Sequence, residues 1–166
     1  KKSIYLLDDM MFRFWYRFVF PNMSGIVSGL GESIYDFEIA PKISAYMGFI
    51  FEEMCKQYVI EEAKRNALPF LMGPIGRWWG GNPKEKRQEE IDILTFRGDS
   101  ALFCECKWTN DPVDTDVFQT LKERSELFSY DRKWLWLFSK SGFTARLIEK
   151  AQEMDNVRLI PYSDML

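Results

Sequence analysis

The stretch Glu89–Trp108, EEIDILTFRGDSALFCECKW, constrains the fold of this chain more than any other. Gly98-Asp99 is a two-residue hairpin pair, with glycine free to take the positive φ that such a turn needs. With these two residues as the loop, Arg97 faces Ser100, and stepping back sets Asp92 opposite Glu105 and Glu90 opposite Lys107. Alternation then places Asp92, Leu94, Phe103, Glu105 and Lys107 on one face, and Ile91, Ile93, Cys104 and Cys106 on the other. Two opposed carboxylates with β-carbons about 4.5–5.5 Å apart repel unless positive charge lies between them, and a divalent metal ion supplies it. Leu94 and Phe103 on the same face predict that it is covered, where ionised groups are costly.

Composition narrows the chemistry. With no histidine in 166 residues, imidazole zinc sites, Ser-His and Cys-His nucleophiles and histidine bases are excluded, leaving carboxylates, lysine and tyrosine. Three cysteines cannot all pair within one chain, and Cys104 and Cys106 sit two apart on one strand face, so buried free thiols are expected. A net charge of -3 gives no global attraction to nucleic acid. Binding would then depend on local cations, for which Lys84, Lys86, Arg87 and Lys122 are candidates, with Arg124, Arg132 and Lys133. No apolar run approaches the roughly 20 residues of a membrane span. The apolar stretch Met10–Phe20 is broken by Arg13 and Arg17 and lacks a signal cleavage site, which points to the cytoplasm. The chain opens KKSIYLL without an initiator Met, as a piece of a longer chain would.

Around the hairpin the pattern is α/β. Ile4–Leu7 reads as a short strand, and Asp8 or Asp9 caps a helix through Val19 whose Phe12, Trp15, Tyr16 and Phe20 fall at helical spacing and are expected to pack. Residues 24–39, with three glycines, read as a connection. Pro41 fits the first turn of a long helix with a stripe of Ile43, Met47, Ile50, Phe51, Met54 and Tyr58. Glu52 and Glu53 both lie on it, and periodicity does not choose between them. Ile75–Trp79 reads as a strand broken by GGNP, and KEKRQEE as a solvated turn. A helix over 115–128, a strand over 134–139, a helix over 144–154 and a strand over 157–160 follow. This order predicts a sandwich around a mixed sheet, antiparallel at the hairpin and parallel where helices intervene.

Asp92, Glu105 and Lys107 form a D…ExK pattern on adjacent strands. Phosphodiester cleavage needs a hard cation held by oxygens, an activated water, and a positive group to steady it. Asp92 and Glu105 supply oxygens and Lys107 can orient the water. Glu52 completes the set if its helix packs on that sheet face. The competing reading is a plain Glu90–Lys107 cross-strand ion pair with Glu105 at the surface.

Five motifs in order, GFIFEEMC, IGRWWGG, EEIDIL, LFCECKW and FSKSGFT, resemble the domain of unknown function that follows the P-loop ATPase domain in archaeal-type ATPases of archaea and bacteria. The opening IYLLDDMMFRFWYRFVFPN resembles the segment joining that domain to a preceding winged helix. That family is in turn similar to the PD-(D/E)XK, restriction-endonuclease-like fold. The resemblance implies a three-layer α/β sandwich over residues 39–166, with residues 1–38 as a helical extension from the winged-helix and ATPase part. It implies Glu52, rather than Glu53, as the fourth site residue with Asp92, Glu105 and Lys107, Mg2+ or Mn2+ as cofactor, and Gln119 as a possible accessory group. DNA and the ATPase part are the implied partners, homo-oligomerisation is left open, and the alternative is a catalytically silent interaction domain. No Walker A loop occurs here, so ATP hydrolysis is not expected of these residues.

Overall fold

The computed structural model describes residues 9–83 and 85–166, so the expected strand at Ile4–Leu7, the Asp8 cap and Lys84 lie outside the described residues. The chain divides into two compact units, with the division between Ile50 and Phe51.

The first unit is helical. Asp9 caps α1 (Met10–Phe14) by accepting from the Phe12 amide, and π-helical turns follow over Trp15–Val19. After α2 (Met23–Val27), α3 (Gly31–Ile34) passes through π-helical turns at Tyr35–Ile39 directly into α4 (Ala40–Lys64). The expected connection over 24–39 is therefore largely helical, and Pro41 stands in the first turn of α4, as expected, with the π-helical turns running into it. Both Pro21 and Pro41 stand two residues beyond a run of π-helical turns. A wider turn gives room to the carbonyl that a proline ring would otherwise meet and leaves the missing N–H without consequence. Phe18, Ile39 and Tyr46 form the small core here, and the Tyr46 hydroxyl donates to the Met10 carbonyl. Phe12, Tyr16 and Phe20 are exposed and Trp15 is partly so, contrary to the packing expected of them, because Phe14 and Phe18 take the inner face.

The second unit is a five-stranded sheet in the order β1 (Ile75–Asn82), β2 (Arg87–Arg97), β3 (Ser100–Lys107), β4 (Arg132–Ser139), β5 (Val157–Pro161). The first three strands are antiparallel and the last three parallel. The hairpin register is the expected one, Arg97 opposite Ser100 through Ile93 opposite Cys104, with Gly98 at φ 59° in the turn. β1 extends through Gly80, Gly81 and Asn82, because those residues pair with Glu89, Gln88 and Arg87. The expected solvated turn correspondingly shrinks, and Glu89 lies inside a strand.

Helices cover both faces. The C-terminal half of α4 lays Phe51, Cys55 and Val59 on Ile93, Leu102, Cys104, Cys106, Trp136 and Phe138. On the other face α5 (Thr115–Ser125) and α6 (Ala145–Gln152) bring Phe118, Leu121 and Leu147 onto Leu94, Phe103, Leu135 and Leu137. The three cysteines are buried and unpaired, as expected. Ile91 departs from the expected alternation and packs with Leu94 and Phe103. The cause is a β-bulge: Gly76 faces Leu94 while Trp78 faces Ile91, so Asp92 and Ile93 together oppose Arg77 and the side-chain phase slips by one.

Asp114 and Thr144 cap α5 and α6, and Thr144 also donates its hydroxyl to Asp114, which joins the starts of the two helices. The packing predicts that Phe103→Ala, which empties a fully buried ring site against Phe128 and Tyr130, lowers unfolding free energy by about 3–5 kcal/mol. Phe96→Ala, at a partly exposed ring, should cost less than about half as much in the same urea titration.

Candidate metal and charge cluster at the end of the sheet

Beyond Ile93 and Cys104 the paired register of β2 and β3 stops, and the charged residues gather at that end. The bulge aims the Asp92 side chain at the β3 backbone, where its carboxylate accepts the Cys106 amide at 2.8 Å. Burial, and then the negative charge of Glu105, push the Asp92 carboxyl up to about 6, opposed by that amide and by the charges of Lys107 and Arg77. Asp92 is thereby attached to the β3 backbone next to Glu105, while the bulge takes it out of the regular cross-strand pairing expected of it.

Glu105 is only 5% exposed and has a cation on each oxygen. Lys107 Nζ donates to Oε1 at 2.6 Å, and an Arg124 guanidinium nitrogen donates to Oε2 at 2.9 Å. Arg124 also donates through Nε to Glu89, which is 4% exposed and accepts from Arg87 at 2.7 Å. The result is a chain of alternating charge, Lys107–Glu105–Arg124–Glu89–Arg87, from β3 across α5 to β2. Glu89 is held below its ordinary range: its burial opposes ionisation, but the hydrogen bonds and charges of the two arginines outweigh it. A fully paired buried carboxylate remains ionised where an unpaired one would not.

The Glu90–Lys107 pair of the competing reading does not form. Lys107 takes Glu105, and Glu90 pairs with Arg77 at 3.0 Å. Arg77 also pairs with Glu52, so one guanidinium of β1 ties α4 to β2. α4 packs on the Cys104–Cys106 face, opposite the face where Glu105 meets α5, so Glu52 approaches from the other side of the sheet. Among the described residues no three carboxylates or thiols stand close enough to hold a metal ion together.

The remaining expected groups are dispersed. Gln119 on α5 donates to Glu123, its neighbour one turn on. Lys86 is exposed at a positive φ of 53° in the turn between β1 and β2, and Lys122 is exposed on α5. Arg132 and Lys133 pair with Asp99 and Glu126. Arg87 and Arg124 line a cleft of about 250 Å³ together with Glu85, Glu89, Glu123 and Glu126, so carboxylates outnumber arginines there. Sequence reasoning misses Glu89 and Arg77. The signal for Glu89, inside a charged run, is the alternation of period two that carries it inward with Ile91, while nothing in IGRWWGG marks Arg77. Arg124, expected among the cations for a phosphate backbone, is instead taken up by Glu89 and Glu105.

The fold and the site together define an α/β domain with a mixed sheet, covered on both faces, whose buried carboxylates collect where two central strands part. The chain belongs to a family described as archaeal and bacterial proteins of unknown function, whose model matches residues 15–126. It is 39% identical over 137 residues to the uncharacterized protein MJECL04 of Methanocaldococcus jannaschii, a match taking in 79% of this chain and 29% of that protein. The chain thus spans less than a third of the curated relative's length. Among solved structures it is similar to the protein of unknown function AF1548, with a TM-score of 0.44 and 14% identity over 68% of this chain and 58% of that one. It is also similar to the DNA modification-dependent restriction endonuclease AspBHI, with a TM-score of 0.35 and 16% identity over 71% of this chain and 33% of that one.

Two predictions follow from the charge geometry. A carboxyl whose folded value is about 6 against an ordinary 3.8 disfavours folding once ionised, so the metal-free protein loses stability as pH rises between those values. At about 1.4 kcal/mol per pH unit, Asp92→Asn should be more stable than wild type at pH 7.5 by up to roughly 3 kcal/mol, with the difference gone near pH 4. Urea melts of both in EDTA read this, and a wild type that is the more stable at pH 7.5 refutes it. Separately, Arg124→Ala leaves Glu89 and Glu105 buried with half their partners and should cost about 3–5 kcal/mol. Arg87→Ala removes a mostly exposed partner and should cost about 1 kcal/mol or less.

Proposed function

We propose that residues 51–166 form a divalent-metal-dependent, nuclease-like domain of the PD-(D/E)XK type that cleaves or grips a nucleic-acid backbone, with DNA the leading substrate. The observation that carries this reading is the gathering of charge at the end of a packed sheet, where Asp92 accepts the amide of Cys106, the residue next to Glu105, and Lys107 is bonded to Glu105. The element order supports it: a helix bearing Glu52, then three antiparallel strands bearing Asp92 and Glu105-Cys106-Lys107, then helix, strand, helix, strand.

Asp92 and Glu105 fit a hard divalent cation such as Mg2+ or Mn2+. Both offer oxygen donors, their mutual repulsion is relieved by positive charge, and among the described residues Asp92 accepts from a backbone amide and from no basic side chain. Glu52, the third donor the resemblance implies, is held by Arg77 on the α4 side of the sheet and would have to leave that pair to join Asp92 and Glu105. A cation bound there supplies Lewis acidity to a phosphoryl oxygen and lowers the pKa of a bound water. The chain's own groups do the rest. The Cys106 amide fixes the Asp92 carboxylate, Arg124 fixes the far oxygen of Glu105, and Lys107, about one-third exposed, extends its ammonium to where a water or a developing negative charge would stand.

A second reading is a catalytically silent interaction domain. It is favoured by the ion pairs that already occupy Glu52 and Glu105, and by the exposed Phe12, Tyr16 and Phe20. Under either reading the domain works beside a P-loop ATPase and winged-helix part in the cytoplasm, a proposal that rests on the five-motif resemblance. Among the described residues no helix is long and apolar enough to cross a membrane.

Cleavage of a labelled DNA duplex in Mg2+ or Mn2+ separates the readings. Lys107→Ala should lower the cleavage rate by at least about 100-fold, in the range for loss of one group that stabilises developing charge, while Mn2+ affinity by calorimetry changes little. A wild type that neither cleaves nor binds Mn2+ favours the silent domain.

A further inference from the structure

The loop after β4, in the motif FSKSGFT, stands outside the charge cluster, and its Lys140 is fixed beside Lys107. Lys107 and Ser139 pair at the ends of β3 and β4, and the Lys140 amide donates to the Lys107 carbonyl at 3.0 Å. The two lysines therefore leave the same end of the sheet. Beyond them the loops after β3 and β4 are joined crosswise. Ser141 Oγ donates to the Thr109 carbonyl at 2.6 Å, the Val113 amide to the Gly142 carbonyl at 2.9 Å, and the Thr144 amide to the Val113 carbonyl at 3.0 Å.

Within this frame Lys140 Nζ donates to Asn110 Oδ1 at 2.7 Å and stands 5.1 Å from the centre of the Trp108 ring. That ring is itself wedged against Phe51 and Tyr162. Both partners of Lys140 are uncharged, and among the described residues no carboxylate pairs with it. Its neighbours differ: Lys107 is taken by Glu105 and Arg146 by Asp114. An ammonium carries three donors, of which Asn110 uses one. The charge is thus positioned without being neutralised, so an anion meeting it orders little that is not already ordered.

We propose that Lys140, steadied by Asn110 and Trp108, contacts a backbone phosphate of DNA at the end of the sheet where Lys107 also stands. This deepens the nucleic-acid part of the proposed function, rests on it, and requires no metal ion. A net charge of -3 gives DNA no long-range attraction, so affinity depends on local cations that the protein has not already paired. Arg87, Arg124, Arg132 and Lys133 are all paired with carboxylates, whereas Lys140 is not. A phosphate held there fixes where the strand lies along the end of the sheet and carries no base preference. The amide nitrogen of Asn110 is a second, neutral donor beside the ammonium.

Fluorescence anisotropy of a labelled DNA duplex in EDTA, over a series of salt concentrations and on samples verified by thermal melting, tests this apart from metal and cleavage. Lys140→Gln should weaken binding by about tenfold at low salt, equally for duplexes of unrelated sequence. It should also lower the slope of log affinity against log salt by about one. Lys140→Arg keeps the charge and should keep the slope. Lys150→Gln removes an ammonium that also lies 5.1 Å over a ring, that of Phe118, but in the last turn of α6. It should change affinity by less than about threefold, as a screened surface charge does. Asn110→Ala loosens the ammonium without removing charge, should weaken binding by about threefold or more with the slope unchanged, and serves if Lys140→Gln does not fold. If Lys140→Gln and Lys150→Gln weaken binding equally, if Lys140→Gln leaves the slope as it is, or if Asn110→Ala binds as wild type does, the contact is refuted while nucleic-acid binding stands. If the wild type takes up no duplex in EDTA the contact falls, and the cleavage assay alone then decides the nucleic-acid reading.

Discussion

The end of the sheet depends on Arg124. Glu89 and Glu105 are both almost fully buried on the α5 side, and a single guanidinium donates to each of them. Two ionised carboxylates under a helix would be untenable alone; with Arg124 between them and Arg87 and Lys107 at the ends, each oxygen has a donor. α5 is consequently bound to β2 and β3 by charge as well as by Phe118 and Leu121. This fixes the conformation of Glu105, so one carboxylate at the candidate site is held rigidly from behind.

The opposite face is organised differently. There α4 packs through Phe51, Cys55 and Val59, and Glu52 is reached by Arg77 from β1. The bulge removes Asp92 from the regular ladder and attaches it to the Cys106 amide. A bulge re-aims one side chain without unfolding a strand, and here it fixes a buried carboxyl against the β3 backbone next to Glu105.

Much of this was legible in the residues. Gly98-Asp99 sets the hairpin register from Arg97 opposite Ser100 to Ile93 opposite Cys104, and beyond that point a bulge, which the turn does not specify, decides where Asp92 goes. Long apolar periodicity located α4, and the alternation of strands and helices after Lys107 predicted the parallel half of the sheet. The errors share one cause. Phe12 and Phe14 are equally aromatic, Ile91 obeys a simple alternation until a bulge shifts it, and Arg124 reads as one more cation open to a phosphate. In each case the side chain's fate depended on which neighbour reached it, and periodicity carries no information about neighbours distant in sequence.

Local backbone geometry is what the sequence by itself determined: a turn that needs a positive φ, strands that pair outward from it, and helices bounded by Asp114 and Thr144. Only the tertiary structure decided which cations answer those acids. Ion pairing acts through space over a few ångströms, and Arg124 lies 19 residues from Glu105 and 35 from Glu89. Arg77 likewise meets Glu52 only because α4 and β1 come together, a contact that helical and strand periodicities leave open.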